Sequence, residues 1–224
     1  MKTPETGQQE FFSKKFLIVL LAVSILTNLI LLVRSNYPDA LNRIQIALLP
    51  APKVLLTDHV RGNATAKFTV IEYADFQCPF CAQMHEAMRS IMKETDTRWV
   101  FRQFPIPEHP LASKAAEASE CAGDQGKFWE YSDALFAVKP PMTEGTFLKT
   151  AQDLGLDWLA FSVCLNSGKY GKAVAAQHDD GVKNKITGTP TFYLNGKRFD
   201  GFMPVEDFRK LVGVNVVEKV KEGK

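Results

Sequence analysis

Cys78-Pro79-Phe80-Cys81 stands where one sequence pattern stops and another begins. Upstream, Phe68-Thr69-Val70-Ile71-Glu72-Tyr73 is rich in β-branched and aromatic residues and has the composition of a buried strand. Downstream, helix formers carry Met84, Met88, Ile91 and Met92 at spacings of three and four. The cysteines therefore fall where a strand ends and a helix starts. Free N–H groups and the positive end of the helix dipole stabilise an anion there, which lowers a thiol's pKa. Pro79 suits the first helical position, where its missing N–H costs nothing. A thiolate on Cys78 is nucleophilic, and Cys81, one turn later, can resolve a mixed disulfide. By itself the pair also allows a structural staple or half of a metal site.

The second constraint is Phe16 to Val33, an uncharged run whose polar members are Ser24, Thr27 and Asn28. As a helix its eighteen residues span about 27 Å, close to the hydrocarbon thickness of a bilayer. Lys15 and Arg34 flank it and can snorkel to the surface. The run is long for a signal peptide, and Leu32-Val33-Arg34 is no cleavage site, so an uncleaved anchor is expected. Lys14 and Lys15 against Arg34 put the N-terminus in the cytoplasm and the remainder outside it.

The formal net charge of +2 in 224 residues is dispersed, and no basic helix interleaved with stacking aromatics marks a nucleic-acid binder. The four cysteines lack a second Cys-x-x-Cys, and no closely spaced histidine pair accompanies them, which argues against structural zinc.

The order of patterns is strand (67–74), helix (78–95), strand (98–104), a helical block, the strands 191–194 and 197–199 around Asn195-Gly196, and a helix from Pro204 to Val212. Asn-Gly between such runs is a strong hairpin signal. The layout is an α/β sandwich. Expected divisions are a cytoplasmic tail (1–15), a transmembrane anchor (16–33), a linker with a short helix near Asp39 to Leu48 (34–60), a folded domain (61–215) and a C-terminal tail (216–224). Phe128, Trp129, Tyr131 and Phe136 sit at helical spacing and are expected in the core. His85, two turns beyond Cys78, is expected at the surface or in a groove.

Gly62-Asn63-Ala64, Val70 to Cys81, Gln125-Gly126-Lys127-Phe128-Trp129 and Thr187-Gly188-Thr189-Pro190-Thr191-Phe192 together resemble the DsbA-like thiol–disulfide oxidoreductases. The likeness extends to the BdbD-type membrane-anchored branch and covers about residues 58 to 213. It implies a thioredoxin fold with a helical subdomain inserted at about 108–184. It further implies that Cys78 is the exposed attacking thiol, that Cys81 is the buried resolving thiol, and that Pro190 is a cis-proline facing them. Thr189 would then offer a backbone edge to a substrate strand. Glu72 alternates with Phe68 and Val70 on an apolar face, and family members often carry an acid there. Buried under the cysteines, it would have a raised pKa and relay the proton of Cys81. The alternative is a strand-end acid facing solvent. Cys121 and Cys164 remain in the helical block. A structural disulfide is the simplest reading in an oxidising compartment, and related proteins often carry one, against two buried free thiols. Phe80 stands where the best-known oxidase of the family has histidine, so the strength of oxidation is left open.

The expected function is insertion of disulfides into unfolded exported proteins, with reoxidation by a quinone-linked membrane partner and no bound cofactor. A reductase or isomerase of the same fold, and a copper- or zinc-binding thioredoxin-like protein, are the alternatives.

Overall fold

The protein is described by a computed structural model, for residues 4–139 and 141–214. The expected C-terminal tail lies outside the described residues. The chain divides into two units, residues 1–49 and 50–224.

The first unit is helical: α1 (Pro4–Asn36) and α2 (Pro38–Leu48). Within α1, Lys15–Asn36 is long and apolar enough to cross a membrane. Its few polar side chains turn back onto the helix. Thr27 Oγ1 donates to the Val23 carbonyl and Asn28 Nδ2 to the Ser24 carbonyl at 2.9 Å, which reduces the number of donors left to be satisfied from outside the helix. The helix starts at Pro4, inside the stretch read as a tail, since propagating a formed helix costs little. Pro38 at the first turn of α2 has no N–H to leave unpaired.

The second unit is built on a five-stranded sheet of order β1-β3-β2-β4-β5, where β1 is His59–Arg61, β2 Phe68–Ala74, β3 Thr97–Gln103, β4 Thr191–Leu194 and β5 Lys197–Asp200. β2 and β3 run parallel, joined by α3 (Pro79–Glu94), and the other neighbours are antiparallel. Between β3 and β4 come α4 (Ala112–Gly123), α5 (Phe128–Ala137), α6 (Glu144–Asp153), α7 (Trp158–Ser167) and α8 (Gly171–Lys183), and α9 (Val205–Val212) closes the unit. This is the thioredoxin-like α/β sheet with a helical insertion.

β2 is central, and Val70 to Ala74 are buried on both faces, hence a run that is apolar apart from Glu72. Val70 and Ala74 join Met84, Met88, Ile91, Trp99, Phe101, Phe192 and Phe208 in the larger core. Ile71 and Tyr73 face the other way, into a smaller core with Val100, Phe104 and Tyr193. There α8 lies close against the sheet: a Cβ at Gly181 would come within 2.5 Å of the Phe104 ring, so only glycine fits. Phe128 and Tyr131 are buried, with Trp129 and Phe136 packed against them. Cys121 and Cys164 are bonded to each other and tie α4 to α7. The edge strand β1 straddles the expected boundary between linker (34–60) and folded domain (61–215). Three residues are too few to show alternation, and His59 to Arg61 become a strand by pairing with Trp99 to Phe101.

Candidate functional site

The site gathers at the C-terminal end of β2 and the start of α3. β2 ends at Ala74, and Asp75 turns the chain. Asp75 Oδ1 accepts from the Gln77 N–H at 2.7 Å. Its Oδ2 accepts from the Ile106 N–H and from His109 Nδ1, each at 2.7 Å. One buried carboxylate thus fixes the turn and ties the β3–α4 connection to it. Cys78 is the N-cap residue of α3 and Pro79 its first helical residue.

Cys78 and Cys81 are both free thiols. Cys78 was expected to be exposed, but only 6% of it is accessible, because the loop before β4 closes over it. Its Sγ lies 3.3 Å from the Thr189 carbonyl oxygen. The Thr189–Pro190 peptide is cis, and Pro190 is buried. The Thr189 hydroxyl is buried and has no hydrogen-bond partner among the described residues. Cys81 is fully buried, and the Asp75 N–H points to its Sγ at 3.5 Å.

The two thiols are driven apart electrostatically. Cys78 is lowered from 9.0 to about 6, first by a hydrogen bond from Cys81. Burial opposes this, while Thr189 and the N–H groups of Cys81 and Phe80 at the helix start add to it. Burial pushes Cys81 well above the ordinary thiol value, and the charges of Cys78 and Glu72 push it further.

Glu72 is buried, not a strand-end acid in water, with 1% of its surface accessible. Burial raises it to about 8, the Trp99 hydrogen bond holds it down, and the Cys78 charge raises it further. Its Oε2 accepts from Trp99 Nε1 at 2.8 Å. In the sheet register Glu72 lies opposite Phe101 and Trp99 opposite Val70, so the indole reaches diagonally across the strands. The sequence pattern singled out Glu72 but not Trp99, whose role depends on register.

His85 corrects the expectation of a surface or groove residue. It is buried on the inner face of α3, beside Trp99 at 4.8 Å and Phe136 at 4.5 Å between ring centroids. Its Nε2 meets Asp133 Oδ1 at 2.6 Å, and Asp133 also takes both terminal nitrogens of Arg61 at 3.0 Å. Burial lowers the His85 pKa, Asp133 opposes this, and the Arg61 and Arg89 charges that share Asp133 add to it. Phe80 is 55% exposed at the rim. Among the described residues no group of three or more His, Cys, Asp or Glu side chains is placed to hold a metal ion.

The arrangement stabilises one thiolate at the surface end of the pair. It keeps a second thiol protonated, and a buried carboxyl raised to about 8 is coupled to both thiols through charge. Residues 55–213 match the family model described as Thioredoxin. A Na(+)/H(+) antiporter NhaA 1 of Salinispora arenicola is 40% identical over 151 residues, covering 66% of this chain and 23% of that protein. The chain thus spans about a quarter of the length of the curated relatives it matches, and the antiporter name belongs to the longer whole. Among solved structures, the thiol-disulfide exchange protein alpha-DsbA2 from Wolbachia pipientis superposes with a TM-score of 0.64 at 20% identity, over 70% of this chain and 87% of that one. Oxidised BdbD from Bacillus subtilis superposes with a TM-score of 0.64 at 21% identity, over 74% and 96%. At such identities the likeness is one of fold, and the fold shared is that of the DsbA-like thiol–disulfide oxidoreductases.

Proposed function

This chain belongs to the thioredoxin family, and from that membership and the polarised cysteine pair we propose that it is a membrane-anchored thiol–disulfide oxidoreductase that introduces disulfides into exported proteins. The observation that carries the reading is the opposite displacement of the two thiols, Cys78 down to about 6 and Cys81 up.

In the oxidised state a substrate thiolate attacks Cys78 Sγ. The Cys78–Cys81 bond breaks, a substrate–Cys78 disulfide forms, and Cys81 leaves with the electron pair. A buried, high-pKa thiolate is a poor leaving group unless it is protonated. Glu72, raised to about 8, still holds its proton at neutral pH and supplies it. A second substrate thiolate then attacks the substrate's own sulfur. Cys78 departs as a thiolate that needs no proton, and the substrate keeps its new disulfide. The enzyme is left with Cys78 and Cys81 reduced, two electrons richer. Thr189 presents the backbone edge beside Cys78 against which an extended substrate pairs. Pro190 holds that edge in place.

The lowered Cys78 pKa also bears on direction. Stabilising the thiolate stabilises the reduced protein, which makes the disulfide more oxidising. That favours the oxidase over a reductase or isomerase, even with Phe80 in place of a cationic residue. In the anchored arrangement the domain faces the periplasmic or extracellular side, and a quinone-linked membrane protein takes the electrons back.

Cys81→Ala, expressed in the host, tests the roles. Without a resolving thiol, exported proteins should accumulate as mixed disulfides on Cys78, released by reductant and absent from Cys78→Ala. A Cys81→Ala protein that captures no thiol would refute the assignment.

A further inference from the structure

One buried polar contact in the core, that between Trp99 and Glu72, is not used by the mechanism above. Both side chains are buried, and the indole N–H donates to Glu72 Oε2 at 2.8 Å. The indole cannot turn away. His85 packs edge-on against it at 4.8 Å and Trp129 lies across it at 4.9 Å. The Arg61 guanidinium lies over both rings, 5.8 Å from the Trp99 centroid and 4.5 Å from that of Trp129. Arg61 is itself held by Asp133, which also holds His85. A set of residues from β1, α3 and α5 thus locks one N–H onto one carboxyl oxygen.

We infer that Trp99 is a positioning residue that decides which oxygen of Glu72 carries the exchanging proton, occupying Oε2 and leaving that role to Oε1. The inference rests on the proton-donor role proposed for Glu72. In a neutral carboxyl group the carbonyl oxygen is the better acceptor, and the hydroxyl oxygen donates. A fixed N–H at Oε2 therefore makes Oε2 the carbonyl and Oε1 the hydroxyl. When Glu72 ionises, the same N–H becomes a charge-assisted hydrogen bond and stabilises the carboxylate. Trp99 thus limits how far burial can raise Glu72 and keeps the acid close to neutrality. The titratable and charged groups around this pair are Cys78 at the N-cap of α3, Cys81, His85 and Arg89 on α3, Arg61 on β1 and Asp133 on α5.

The step that reads this directly is resolution of a mixed disulfide. A small thiol is placed on Cys78 of the full chain in detergent, and its release by Cys81 is followed against pH. Cys81 gives its proton to Glu72, attacks Cys78 Sγ and expels the small thiol as thiolate, leaving the Cys78–Cys81 disulfide. In Trp99→Phe the rate profile should move to higher pH by about one unit, the effect of removing one charge-assisted donor. In Glu72→Gln the dependence on this group should vanish, and adding Trp99→Phe to Glu72→Gln should move nothing further. A tryptophan that only packs would slow or destabilise both backgrounds alike and leave the profile in place, which overturns the inference. If Glu72→Gln alone leaves the profile unchanged, the donor role of Glu72 fails, and the inference falls with it. A second measurement needs no change at Trp99. The Trp99 indole N–H resonance, assigned by substituting Trp129 and Trp158, should titrate with a midpoint near the Glu72 value of about 8 and stop titrating in Glu72→Gln. A resonance indifferent to pH in the unaltered protein overturns the inference as well.

Discussion

Cys78 and Cys81 lie one helical turn apart and ionise at opposite ends of the thiol range. Position relative to the helix start separates them. Cys78, as N-cap, has N–H groups aimed at it, and Cys81 has the core around it. Glu72 is the third member and the costly one. Its acid form is favoured in the fold and its charged form in the unfolded chain. The native state therefore binds more protons between the ordinary value of 4.5 and about 8. Stability then falls as pH rises through that window. Glu72→Gln should remove the fall. Denaturation across pH should show the variant gaining on the unaltered protein above pH 4.5, by several kcal/mol, in order of magnitude, at pH 8. Parallel stability curves would contradict the buried-acid account. Trp99, Asp75 and the Asp133 cluster were not legible in sequence. Each acts through a partner distant in the chain: Trp99 through Glu72, Asp75 through Ile106 and His109, Asp133 through Arg61 and His85. His85 shows the same limit. Its spacing from Cys78 gave a side of the helix but not what packs there, and Phe136 and Trp99 make that side interior.

The elements were far more legible, because most announce themselves locally. β2, α3 and β3 follow from periodicity, and the β4–β5 hairpin from Asn195-Gly196. The exceptions were elements made by their surroundings. β1 exists because β3 offers an edge, and α1 extends to Pro4 because a long helix already stands beside it. In the helical insertion the Cys121–Cys164 bond joins α4 to α7 across a separation of 43 residues. Closing a loop of that length restricts the unfolded chain by roughly 4 kcal/mol in the entropic picture. Cys121→Ala with Cys164→Ala should lower stability by about 2–4 kcal/mol while leaving the Cys78 titration in place. Loss of the depressed Cys78 pKa would make the bond part of the redox site instead of a brace.

At the scale of the whole molecule, a thioredoxin-family domain follows a helix long and apolar enough to span a bilayer. Under the proposed function, tethering would confine exchange to substrates that reach the membrane surface and keep the reduced domain near a membrane-bound electron acceptor. The full chain should therefore stay with membranes through alkaline extraction and leave them only in detergent, and release by alkali alone would contradict the anchor. The single measurement closest to the central claim is the equilibrium of the full chain with glutathione, following the Cys78–Cys81 pair by alkylation. The pair should show one two-electron transition at a potential more oxidising than about −200 mV, on the side of disulfide donors. A pair that never oxidises in that range would refute thiol–disulfide exchange at Cys78. A potential near the roughly −270 mV of a dedicated reductant would refute the oxidase direction.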